Sequence, residues 1–219
     1  MSEPLCRPVL APGLVLDERS SALLRDMLPV HVVLLPGMAE GPPPPHPSHA
    51  RGGALEGADT GPVLLVGHSQ SCQVVAAAAG DPRVAGLVLL GPTTDPRLRS
   101  AAGLVRRWPA TAVQERWPHA PLVLPQWLRT GPRAMRQLWG VASADRIDTR
   151  LRTVGVPVTV VRGTRDRLCP HDWAATVAAA APEGRLVELQ EAAHLTSMTH
   201  PEQVAALLRE AATERRPGA

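Results

Sequence analysis

The stretch VLLVGHSQSCQVVAAAAG, Val63–Gly80, runs an apolar segment into Gly-His-Ser-Gln-Ser and from there into an alanine-rich helical pattern. It reads as a strand, a sharp corner and a helix. At such a corner the apex residue is held in a strained turn with its side chain presented. The backbone N–H groups that follow point into the same space, so a nucleophile and an oxyanion site are displayed together. Gly67 lets the corner close without a Cβ clash, and Ser69 takes the apex. A serine at a helix start is also an ordinary N-cap. Context and partners must therefore distinguish the two.

Outward from this corner, strand-length segments recur: Arg7–Gly13, Val30–Gly37, Pro62–Ser69, Val84–Pro92, Val156–Gly163 and Gly184–Gln190. Most are apolar throughout, as strands buried on both faces are. Helical patterns lie between them, over Glu18–Met27, Gln70–Ala79, Pro170–Ala181 and Pro201–Thr213, the last two opening with proline at an expected first helical position. Alternation of this kind predicts one α/β domain with a mostly parallel sheet flanked by helices. Two regions break the rhythm. Gly41–Gly61, with four consecutive prolines, reads as a loop, and 93–152 reads as a helical lid inserted in the domain, holding four of the five tryptophans.

Composition narrows the chemistry. Lys, Asn, Phe and Tyr are absent from the 219 residues, and all 23 basic residues are arginine. Schiff-base catalysis and Walker-type phosphate loops need a lysine and are excluded. The basic balance comes without aromatic platforms or a long basic tail, so it does not point to nucleic acid. Cys6, Cys72 and Cys169 are widely separated and suggest neither a disulfide framework nor a zinc site. With no charged leader and no apolar run of membrane length, the expected setting is the cytoplasm, with no membrane partner.

A serine nucleophile needs a base, and the base needs an orienting carboxylate. RGTRDRLCP places Asp166 just past one buried strand, and ELQEAAHLTSM places His194 in the loop after the last. Ser69, Asp166 and His194 would all emerge at carboxyl ends of parallel strands, where open α/β sheets gather their sites. Asp95, before Pro96, reads as a helix cap instead. His200, before Pro201, has a structural reading at the last helix, and His68 reads as a packing or cavity-lining residue. His46, His49 and His119 read as surface residues, and no histidine pair has metal-ligand spacing.

Taken together, GHSQS, RGTRDRLCP, AAHLTSMTHPEQVAALL and LLPGMAEG resemble the nucleophile elbow, acid turn, histidine loop and post-strand loop of the α/β-hydrolase fold, over nearly the whole chain. The resemblance implies a cofactor-independent serine hydrolase with backbone N–H groups of Leu14, in LAPGL, and Gln70 at the oxyanion. The expected substrate is a small, largely apolar ester or thioester. The chain departs from the family pattern in three ways. It opens almost directly on the first parallel strand, its Pro-rich segment stands where a helix is usual, and Ser71 replaces the elbow's last glycine. These departures keep a second reading open, a non-catalytic ligand-binding or scaffold protein on a degraded hydrolase fold. They also predict one poorly covered sheet face, with Val32, Leu34, Val63 and Leu65 exposed, and hence a possible homodimer.

Three further features carry two readings each. Cys72 is a small core residue or a second nucleophile. Trp108, Trp117, Trp127 and Trp139 line an apolar substrate pocket or pin the lid helices. Pro92–Arg152 holds eleven arginines against four acidic residues, a solvated surface or a field that steers an anionic substrate.

Overall fold

A computed structural model describes residues 6–13, 16–35, 55, 61–115 and 119–213. Six parallel strands form one sheet in the order β2-β1-β3-β4-β5-β6. They are β1 (Arg7–Ala11), β2 (His31–Val32), β3 (Val63–His68), β4 (Val84–Leu90), β5 (Val158–Gly163) and β6 (Gly184–Leu189). The reversal of order beside β1 leaves a crevice at the carboxyl ends of β1 and β3, the place where open sheets bind ligands.

Helices close both faces. Residues of α2 (Ser71–Ala78), α5 (Ile147–Arg150) and α6 (His171–Ala180) share one buried apolar cluster with β3, β4 and β5. Residues of α1 (Ala22–Met27) and α8 (Pro201–Thr213) form a second cluster on the opposite face. Every residue of β3 is buried, because α2 follows it directly and folds back onto it. Between β4 and β5 the chain makes α3 (Ala101–Ala112) and the long α4 (Ala120–Ala144), and between β6 and α8 it makes the short α7 (Thr196–Thr199).

Several sequence expectations change. Val63 and Leu65 are 1% and 0% exposed, packed in the same cluster as α2, Val33, Leu35 and Leu55. Period-two alternation turned them toward a face that α2 already covers. Val32 and Leu34 are half-buried at the sheet edge. The second strand is only two residues long, although Val33 N–H still donates to Leu10 O at 2.9 Å. Pro170 occupies the cap of α6 in an extended conformation, not its first turn. Pro201 does open α8 as expected. Gly41–Gly61 lies outside the described residues except Leu55 and Gly61. Among the described residues no helix is long and apolar enough to cross a membrane.

Candidate active site

Ser69 sits between β3 and α2 with φ of 57°, in the left-handed region that costs an L-residue about 1–2 kcal/mol. The corner is held from behind. Ser69 N–H donates to Leu90 O at 2.8 Å, and a Cβ on Gly67 would lie 2.8 Å from Cys72 N and 2.7 Å from Val75 Cγ2. Any side chain at 67 would push α2 off β3. Ser71, the departure from the usual glycine, is fully buried, and its Oγ donates to Pro12 O at 2.5 Å. The extra hydroxyl fits as a tie between α2 and the loop after β1. Gln70 takes the cap position of α2. Leu14, the other expected oxyanion donor, lies outside the described residues.

Asp166 follows β5 and is 1% exposed. Its Oδ1 accepts from Leu168 N–H at 2.8 Å and Cys169 N–H at 3.1 Å, while Oδ2 accepts from His194 Nδ1–H at 2.7 Å. Burial alone would push this carboxyl up, but the His194 charge and these hydrogen bonds bring it below its ordinary range. His194 is the mirror case. Burial lowers it, whereas the Asp166 charge, the shared hydrogen bond and the Glu115 charge leave it net above 6.5. The two titrate as a coupled pair. Among the described residues His194 Nε2, which is buried, has no hydrogen-bond partner, Ser69 included.

Residues that the sequence reading passed over complete the surroundings. Arg162, 5% exposed inside β5, donates to Cys169 O at 2.8 Å and to Asp166 O at 3.4 Å, bracketing the acid turn, and pairs with Glu188. Gly91 has φ of +56°, and a Cβ there would stand 3.1 Å from the His194 ring and 3.3 Å from Asp166 Oδ2. Glu115, just past α3, accepts the backbone N–H groups of His194 and Leu195. A glycine directly after β4, in LLGP, was the one local signal for Gly91.

His68 is buried, donates Nε2–H to His194 O at 3.0 Å, and its ring lies tilted at 39° to that of His194 with the centroids 5.1 Å apart. Burial first, and the His194 charge second, lower its pKa to about 4. It is a neutral strut at ordinary pH. Asp95 caps the turn before α3 through Arg97 N–H, and Arg97 also bridges to Asp172. His200 bonds Thr199 Oγ1 beside α8. Cys72 is fully buried with its thiol pushed well above its ordinary value by that burial, so it is inert packing. The basic segment is partly neutralised at home by the pairs Arg97–Asp95, Arg107–Asp95, Arg146–Asp148 and Arg150–Asp145.

Ser69, Gln70 and His194 share the wall of a cavity of about 280 Å³ that is otherwise mainly apolar, with Leu16, Val123, Leu124 and Leu168 among its lining. Trp139 lines it. Trp117 and the side chains of Trp108 and Trp127 lie outside the described ones. His119, expected at the surface, also lines the cavity, half-buried at the start of α4. Among the described residues no group of three or more His, Cys, Asp or Glu could hold a metal ion.

A serine at a strand-to-helix corner and a buried Asp166–His194 pair stand at the carboxyl ends of one parallel sheet. A model of the alpha/beta hydrolase family matches residues 9–207, and the chain belongs to that family. No curated protein matches its sequence significantly. Among solved structures it is similar to an esterase from Thermogutta terrifontis, at 21% identity and a TM-score of 0.73 over 94% of this chain and 88% of that one. It is also similar to MenH from S. aureus, at 15% identity and 0.72 over 96% and 94%, and to a bromoperoxidase from Bacillus anthracis, at 16% and 0.77 over 97% and 94%. At these identities the likeness is one of fold.

Proposed function

We propose that the protein is a cofactor-independent serine hydrolase of small, largely apolar esters or thioesters, working through an acyl-enzyme. The observation that carries this is the pairing of His194 Nδ1 with a buried Asp166, while Nε2, on the cavity that Ser69 also lines, has no partner among the described residues. In the proposed reaction His194 Nε2 accepts the Ser69 proton as Oγ bonds to the acyl carbon. Asp166 fixes the tautomer and stabilises the imidazolium, and the backbone N–H of Gln70, with that of Leu14, receives the developing oxyanion. The imidazolium then protonates the leaving oxygen or sulfur as its bond to the acyl carbon breaks. Water, deprotonated by the same nitrogen, releases the acid and restores the serine.

The apolar lining and the modest volume favour a short acyl group over a charged or bulky one. A homodimer and a cytoplasmic setting remain part of the proposal. The decisive experiment is labelling with a fluorophosphonate followed by peptide mapping. Label confined to Ser69 and lost in Ser69→Ala supports the mechanism. A folded protein that takes no label at Ser69 sinks it and leaves the non-catalytic scaffold.

A further inference from the structure

Glu115 is remote in sequence from the histidine loop, and it comes from the helical segment, not the sheet. Its Oε1 accepts His194 N–H at 2.7 Å and Leu195 N–H at 2.9 Å, and its buried Oε2 has no partner among the described residues. Two adjacent amides converging on one carboxylate oxygen fix the backbone on which the imidazole hangs. A charge-assisted pair of this kind is about twice as strong as a neutral one. Burial pushes the Glu115 carboxyl up, opposed by the His194 charge and the two amide bonds. A carboxylate held there at such a cost, beside a histidine that must become cationic during turnover, has two separable effects.

We infer that Glu115 is a positioning residue, which clamps the histidine loop to the helical segment through Oε1 and supplies a second negative charge beside His194. It lines the same cavity as Ser69, but its hydrogen bonds go to the backbone of the histidine loop, and it acts through His194. The other ionisable groups around the loop are Asp166 on the imidazole Nδ1 and His68 against the ring. The Arg165–Glu191 pair bridges the turns after β5 and β6, and His119 stands on the cavity wall. Asp166 and Glu115 are the two carboxylates whose charge raises His194, and only Glu115 belongs to the segment that covers the cavity. Docking of that segment and the basicity of the catalytic nitrogen are thereby coupled.

The consequence for turnover rests on the hydrolase reading, but the clamp itself is tested without turnover. Glu115→Gln keeps a carbonyl oxygen for the two amides and removes the charge, whereas Glu115→Ala removes both. Amide hydrogen exchange of the peptide spanning Glu191–Thr199 should be about tenfold faster in Glu115→Ala and near wild type in Glu115→Gln. The His194 imidazole, followed by NMR, should titrate at lower pH in both variants. Unchanged exchange in Glu115→Ala overturns the clamp, and an unchanged His194 midpoint in Glu115→Gln overturns the charge effect. The Gln arm stands even if the alanine variant fails to fold. On p-nitrophenyl acetate, kcat/KM should fall about tenfold in Glu115→Ala, with the acid limb displaced to lower pH. Loss of the clamp signals with an inert wild type would refute the hydrolase reading and leave the positioning role intact.

Discussion

The sheet-borne and helix-borne halves of the site are built on different principles. Ser69, Asp166 and His194 stand at strand ends, each less than 9% exposed, with backbone and side-chain hydrogen bonds fixing Asp166 on both oxygens. The segment between β4 and β5 instead shows Leu124 and Leu128 at 54% and 73% exposure. Polar ties to the body include Gln126 Oε1 accepting Asp17 N–H at 2.7 Å, Thr111 Oγ1 accepting Arg167 N–H at 3.1 Å, and Glu115. In the proposed enzyme the sheet-borne residues carry the chemistry, and the segment between β4 and β5, which contributes Val123, Leu124 and Trp139 to the cavity, shapes the access to it. The contrast predicts that substitutions on the sheet change rate, while substitutions where α4 lines the cavity change which substrate is used.

The largest expected effect is on the sheet side. Ser69→Ala or His194→Ala should lower kcat on a p-nitrophenyl ester by about 10⁴ to 10⁶, and Asp166→Asn by about 10⁴, with KM little changed. Unaltered folding, checked by circular dichroism, separates this from collapse of the site. Activity that survives His194→Ala would break the comparison at its foundation.

The pH profile comes next. On the proposed mechanism His194 has to be neutral to take the serine proton, and its pKa is raised above 6.5. Below that midpoint kcat/KM should fall about tenfold per pH unit, since only the deprotonated fraction reacts. Asp166 stays ionised through this range because its own pKa is lowered. A flat profile across pH 5–8 would contradict a histidine base.

The placement of these three residues at strand ends was legible because each lies within a few positions of an apolar strand, where local sequence alone sets the place in space. The helices over Gln70–Ala79 and Pro201–Thr213 were legible for the same reason, since apolar periodicity is local. Glu115 was not legible, because its partners His194 and Leu195 are far along the chain and meet it only when α3 docks. Arg162 was hidden inside VTVVRG, an apolar strand whose one charge turns toward the acid turn. Burial of Val63 and Leu65 was misread for the converse reason. Their alternation was right, but the layer on that face is α2 with Leu55, and the Pro-rich composition around Leu55 gave no pattern from which packing could be read.

A smaller effect tests how the two halves meet at the elbow. Ser71 Oγ ties α2 to Pro12 O, so Ser71→Ala should leave that buried carbonyl short of a partner and loosen the loop after β1. Stability should fall by about 1–2 kcal/mol in urea unfolding. If that loop also supplies the oxyanion donor, kcat should drop by about tenfold with KM nearly constant. A Ser71→Ala variant as stable and as active as wild type would mean the hydroxyl is merely accommodated.

The smallest change expected in the rate itself, and the sharpest test of the division, is at Trp139. Trp139 is half-buried on α4 and lines the cavity, far in sequence from every strand end. Trp139→Ala removes a large ring from the wall without touching Ser69, Asp166 or His194, so kcat on an acetyl ester should stay within about threefold. The space released should instead admit longer acyl chains. A methylene gained or lost in an apolar pocket is worth about 1–3 kcal/mol in discrimination, so the ratio of kcat/KM for octanoyl over acetyl ester should rise by at least about tenfold. Because the ratio compares two substrates on one variant, any common loss from misfolding cancels. An unchanged ratio would show that Trp139 pins α4 without bounding the substrate, and the helix-borne half would then lose its role in selectivity. A large fall in kcat for both esters alike would show that α4 acts on the chemistry itself, and the division between a rate-setting sheet and a substrate-setting α4 would fail.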